Sequence, residues 1–183
     1  MAYKNKIIRN PLTGQAIRFL QTSLDTEGAL LEMESSFAPH AKEPPLHYHP
    51  KQTEYFTVLE GTLCIRIAGK VRELKKGDRV TIKPKTAHAM WNASGTPAVV
   101  NWMVEPALNT EYFFETGMGL ANAGKVKKNG MPSFLQTVLL ARAYKNVFRL
   151  AKPSYFLQGL VFGVLSPVSK MAGYKAAYKE FID

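Results

Sequence analysis

Apolar and polar positions alternate over most of the first hundred residues. "KIIR", "AIRFLQT" and "ALLEMESS" are short apolar or alternating runs, split by the turn-forming residues 10–14 and 25–28. "EYFTVL", "TLCIRIA", "KVREL", "DRVTIK", "AHAMWN" and "AVVNWMVEP" follow at short intervals. A period of two repeated in many short segments predicts an antiparallel sandwich or barrel, an all-β fold. Tight hairpins are expected where Glu60-Gly61 and Ala68-Gly69-Lys70 separate neighbouring runs. Beyond Pro106 the period changes. "TEYFFETGMGLANAG" reads as a short helix ending at Gly124. "PSFLQTVLLARAYKNVFRLAK" reads as a longer one, with Pro132 in its first turn and Arg142, Lys145, Arg149 and Lys152 as a cationic stripe. The remainder reads as one or two helices broken near Pro167. The chain therefore divides into a β domain over residues 1–115 and an α-helical C-terminal extension over residues 116–183.

Charge sharpens that division. Residues 1–115 carry fourteen Lys and Arg against twelve Asp and Glu, whereas residues 116–183 carry ten against two. The extension thus holds most of the net charge of +10. Its basic stripe lacks a nucleic-acid reading motif, so the expectation is no nucleic-acid partner. Residues 153–169 carry no charge, yet seventeen residues with Gln158 and flanking prolines fall short of a transmembrane span. The extension is expected to pack on the β domain or on a second subunit of a homodimer, with membrane-surface contact through the basic tail as the lesser alternative. The opening "MAYKNKIIRN" has no apolar leader, and the single Cys64, read as a small buried residue, permits no intrachain disulfide. Both point to a reducing, cytoplasmic setting.

Three of the four histidines fall in one pattern. His47 and His49 share strand parity and project together. Pro50 interrupts the strand, which resets the parity so that Glu54, Phe56 and Val58 face inward together. His88 comes from a later strand, with Met90 and Asn92 on its face. Three neutral imidazoles and one carboxylate suit a mononuclear divalent metal with open positions for substrate or oxygen. The expected ligands are His47, His49, Glu54 and His88, with Glu54 also a candidate catalytic base. Phe56, Val58, Met90 and Trp102 are the candidate lining of a ligand pocket. His40 falls outside the pattern and reads as a surface residue. Arg66 and Arg79 read as solvated unless they turn inward to hold a ligand carboxylate.

At these residues the sequence resembles the cupin superfamily. The family's first motif, G(x)5HxH(x)4E(x)6G, is matched by His47, His49, Glu54 and Gly61, with Ala41 replacing the leading glycine. Its second, G(x)5PxG(x)2H(x)3N, is matched by Gly77, His88 and Asn92, with Lys83-Pro84-Lys85 replacing the internal PxG. The resemblance covers roughly residues 10 to 110. It implies an antiparallel jelly-roll barrel with one divalent transition metal (Fe, Mn, Ni or Zn) in its mouth. The family includes dioxygenases, isomerases, decarboxylases, storage proteins and ligand sensors, so the fold leaves the reaction open. The leading expectation is a dioxygenase-like oxidoreductase acting on a small chelating substrate, aromatic or carboxylate. The alternative is a non-catalytic small-molecule sensor that signals through its helical tail.

Overall fold

The computed structural model describes residues 1–182. Two antiparallel sheets hold the alternating segments. One has six strands in the order β1 (Ile7–Arg9), β2 (Ala16–Gln21), β3 (Leu31–Phe37), β10 (Ala98–Glu105), β5 (Thr53–Glu60) and β8 (Arg79–Ile82). The other has five, in the order β11 (Arg149–Leu150), β4 (His47–Tyr48), β9 (His88–Trp91), β6 (Thr62–Ile67) and β7 (Lys70–Lys75). The sequence's alternation is realised residue by residue. In β5, Glu54, Phe56 and Val58 are buried while Tyr55 and Thr57 are not. The turn between β5 and β6 requires Gly61: its φ is +70°, and a Cβ there would stand 2.4 Å from the Pro97 carbonyl oxygen. Cys64 is half-buried, since the neighbours that β6 buries are Leu63 and Ile65.

Among the described residues, apolar burial falls into three clusters. Phe56, Val58, Leu63, Ile65 and Val100 pack together in the first. Ile17, Phe19, Leu31 and Met33 form the second, completed by Met118 of α1 (Thr110–Asn122). The compositional boundary after residue 115 therefore falls inside a helix that packs on the β structure. Trp102 touches both clusters. The third joins Leu120 to Leu140 of α2 (Phe134–Ala143), to Tyr144 and Val147, and to Tyr178, which precedes α4 (Lys179–Ile182).

The extension departs from the sequence pattern in two places. The helix expected to run through residue 152 ends at Ala143. Past it, the buried Tyr144 hydroxyl bonds Thr116 Oγ1 (3.1 Å) and the Tyr112 carbonyl (3.2 Å), Val147 is fully buried, and β11 pairs with β4. β4 needs a partner for its outer backbone groups, and that demand overrides a helical period. Arg142, Lys145, Arg149 and Lys152 consequently do not form one helical stripe. Conversely, Pro167 does not break its helix: α3 runs Tyr155–Met171 through it. The proline is exposed, and Ser166 Oγ, one residue before it, closes onto the Phe162 carbonyl at 2.7 Å. No described helix is long and apolar enough to cross a membrane.

Candidate metal centre

Strand register brings the three histidines together. His47 in β4 is paired directly with His88 in β9, so their rings lie 4.4 Å apart, centroid to centroid. His49 follows β4 in the chain and stands 5.2 Å from His47 and 5.4 Å from His88. One ligand nitrogen from each falls within 4.8 Å of the others. Glu54 enters from the opposite sheet, fully buried. Its Oε2 is 2.9 Å from His88 Nε2 and 3.3 Å from His49 Nε2.

Each imidazole is oriented through its other nitrogen. His47 Nδ1 contacts the Pro45 carbonyl at 3.2 Å, His49 Nδ1 the Val147 carbonyl at 2.6 Å, and His88 Nδ1 the Thr86 carbonyl at 2.9 Å. A carbonyl only accepts, so Nδ1 carries a proton, and in the neutral imidazole Nε2 is left with the lone pair. That tautomer is the one metal-bound histidines adopt when a backbone carbonyl holds them. The consequence is sharpest at His49: its buried Nε2 and the buried Glu54 Oε2 face each other, both acceptors, and neither has a hydrogen-bond partner. Two unpartnered buried acceptors at that separation repel unless a proton or metal cation lies between them. The donor set thus fits a cation.

Electrostatics agree. Burial, followed by the charges His88 and His49 would carry, pushes His47 down to about 3. Burial likewise holds His49 below its ordinary value, against the pull of Glu54. Both are therefore neutral near neutral pH, as ligation requires. For His88, burial pulls downward, but the contact and charge of Glu54 outweigh it and leave the group raised. For Glu54, burial pushes upward, but the His49 charge and the His88 contact outweigh it and leave the carboxyl lowered. Across their 2.9 Å contact each of the last two thus favours the charged form of the other.

The structure adds residues that the motif does not contain. Val147 and Phe148 belong to the extension, ahead of β11. Val147 orients His49, and Phe148 stacks on His47 at 4.7 Å and on Phe113 of α1 at 5.2 Å. Gln52 sits in the bend before β5. Its Nε2 donates to the Pro106 and Ala107 carbonyls and to Thr110 Oγ1, fixing that bend to the start of α1. A polar side chain in the interval between His49 and Glu54 was the available signal for Gln52; Val147 and Phe148 offered none.

The candidate pocket residues divide by depth. Phe56 and Val58 are packed in the core, and Met90 and Trp102 are partly buried against it. Trp102 stacks on Phe56 at 5.2 Å and donates from Nε1 to Glu54 Oε1 at 3.1 Å. Asn92 instead braces a turn: its Nδ2 donates to the Phe37 and Thr96 carbonyls and its Oδ1 accepts from Ser94. Arg66 is paired with Glu43, Arg79 is exposed, and His40 is exposed.

A model of the cupin domain family matches residues 33–104. An uncharacterized protein of Methanocaldococcus jannaschii is 30% identical over 84 residues, which cover 46% of this chain and 67% of that protein. An oxidoreductase of Arthrobotrys oligospora is 41% identical over 61 residues, covering 33% of this chain and only 23% of that protein. A crystal structure of a predicted oxalate decarboxylase from Thermotoga maritima superposes with a TM-score of 0.50 at 17% identity, over 58% of this chain and 99% of that one, a likeness of fold alone. The two-sheet topology, the spacing of the histidines and these matches agree that the chain belongs to the cupin superfamily.

Proposed function

We propose that this chain is a mononuclear metal-dependent oxidoreductase of the oxygenase type, acting on a small chelating substrate. The observation that carries the reading is the unpartnered Glu54 Oε2 among imidazoles whose Nδ1 atoms are all held by backbone carbonyls. The matched segment of the Arthrobotrys protein, named an oxidoreductase, supports the class of reaction. One divalent transition ion (iron, manganese, nickel or zinc) would be held by His47, His49, Glu54 and His88, and when bound would supply Lewis acidity and, if redox-active, oxygen chemistry. The chain's own residues supply the rest. Trp102 fixes Glu54 through Oε1, so Oε2 is the oxygen that would face the ion or, when not ligating, accept a proton from an acidic substrate. Phe148 covers one face of His47 and limits water there. Met90 and Trp102, partly buried with Phe56 and Val58 behind them, would form the wall a substrate meets.

The test is metal content, followed by turnover. Freshly purified protein should hold about one ion per chain by elemental analysis. His49→Ala should lose most of it while the β-rich circular dichroism is retained, and an unchanged stoichiometry would refute the ligand assignment. Oxygen uptake with aromatic diols or chelating acids then tests the oxygenase reading.

One observation favours a second reading, a ligand sensor signalling through its tail. The Val147 carbonyl on His49 and the β11–β4 pairing tie the extension directly to the site. That reading predicts saturable ligand binding and a changed subunit association of a homodimer, without turnover.

A further inference from the structure

The longest helix of the extension is turned inside out. The positions α3 buries are Gln158, Phe162, Ser166 and Ser169. Those it exposes include Phe156 at 76%, Leu160 at 56%, Val164 at 74% and Met171 at 88%. A helix packed on a protein in water places its apolar stripe inward. Here the inward polar groups are satisfied: Gln158 Nε2 donates to the Leu150 and Pro153 carbonyls, and Ser166 and Ser169 donate to carbonyls one turn back. The orientation is thus built in, and exposed Phe156, Leu160, Val164 and Val168 recur every four residues, which places them on one outward face.

Charge identifies the occupant. Between residues 116 and 179 the sequence holds ten Lys and Arg and no carboxylate. Exposed Lys152 and Lys170 flank the two ends of the apolar stripe. Arg149 lies over the Tyr155 ring at 3.6 Å, fixing a cation and an aromatic ring together where α3 begins. A second copy meeting this face with its own would bring like charges together. An anionic bilayer surface meets the stripe with acyl chains and the cations with headgroups. At 17 residues α3 is about 25 Å long, short of the hydrocarbon thickness, so it would lie in the interfacial plane.

We propose that the outward face of α3 docks this protein on anionic lipid membranes. The full chain should float with phosphatidylcholine vesicles containing about 30% phosphatidylserine, weakly with pure phosphatidylcholine, and less at high salt. Replacing Lys152 and Lys170 by Ser should weaken partitioning about fivefold per charge. The pair Phe156→Ser and Val164→Ser should weaken it at least about tenfold. Both positions are exposed, so the fold survives, which circular dichroism checks. Failure to float with anionic vesicles overturns the proposal, as does equal binding to neutral ones. So does a stable dimer in solution that the Phe156→Ser and Val164→Ser pair dissociates, since the face would then belong to a second copy.

Discussion

His47 gives a quantitative test of the site's electrostatics in the metal-free protein. An unfolded chain protonates it near its ordinary value of 6.5, while the folded chain holds it at about 3. The causes are burial first, then the neighbouring His88 and His49. A depressed folded value means that the unfolded state binds the proton more readily. The stability this neutral histidine allows is therefore complete above 6.5 and is lost as pH falls toward 3. Each unit of that interval corresponds to about 1.4 kcal/mol, so between pH 7 and about pH 5 the loss is about 2 kcal/mol. His47 keeps some solvent access, which brings the figure nearer 1–2 kcal/mol, or roughly 2–8 °C in Tm for a chain of this size. Urea unfolding of chelator-treated protein at the two pH values measures it. His47→Gln should remove the loss at that position, so the variant should fall less in stability than the natural chain on acidification. An equal fall in both would show that His47 is not held neutral by its surroundings, and the reasoning about lone pairs would fail with it.

Two other substitutions test separate links. Trp102→Phe keeps an aromatic ring against Phe56 but removes the Nε1–H donor to Glu54 Oε1; metal affinity measured by calorimetry should fall about tenfold with little change in stability. An unchanged affinity would mean that the carboxylate is positioned without it. Gly61→Ala forces a Cβ toward the Pro97 carbonyl at a positive φ. It should cost about 2 kcal/mol or more in denaturant unfolding, and a neutral result would contradict the tight turn between β5 and β6.

The β part of the fold and the histidine cluster were legible for the same reason. Strand alternation is written locally, and His47, His49 and Glu54 are each placed by parity plus one proline break. The pairing of His47 with His88 was readable only as a shared face, because register depends on which strands meet. The extension was less legible. Residues 144–152 carry a helical spacing of cations, yet Leu150 pairs with His47 and Arg149 with Tyr48. The demand that decides this belongs to β4, a hundred residues earlier, and no local pattern near Leu150 reports it. Pro167 misled in the opposite direction: a proline reads as a break, but an exposed one late in α3 is accommodated.

The involvement of the tail at His49 changes what the extension is for. A carbonyl acceptor fixes the tautomer of a ligating imidazole only if the backbone carrying it is itself fixed. Val147 meets that condition, being fully buried in the cluster formed with Leu120, Leu140, Tyr144 and Tyr178. The β11 pairing and the Ala151 N–H bond to the Leu46 carbonyl hold the segment from the other side. Linkage then runs both ways: whatever free energy the ordered strap contributes to cation binding at His49, a bound cation returns to the ordering of the strap. Because α3 begins five residues after Leu150, and Gln158 of α3 bonds the Leu150 carbonyl, the helix with the outward apolar face is joined to the candidate metal centre through one short, hydrogen-bonded path. The extension is thus part of the site's architecture, and removing it would take the carbonyl acceptor from His49 and the outer strand partner from β4 together.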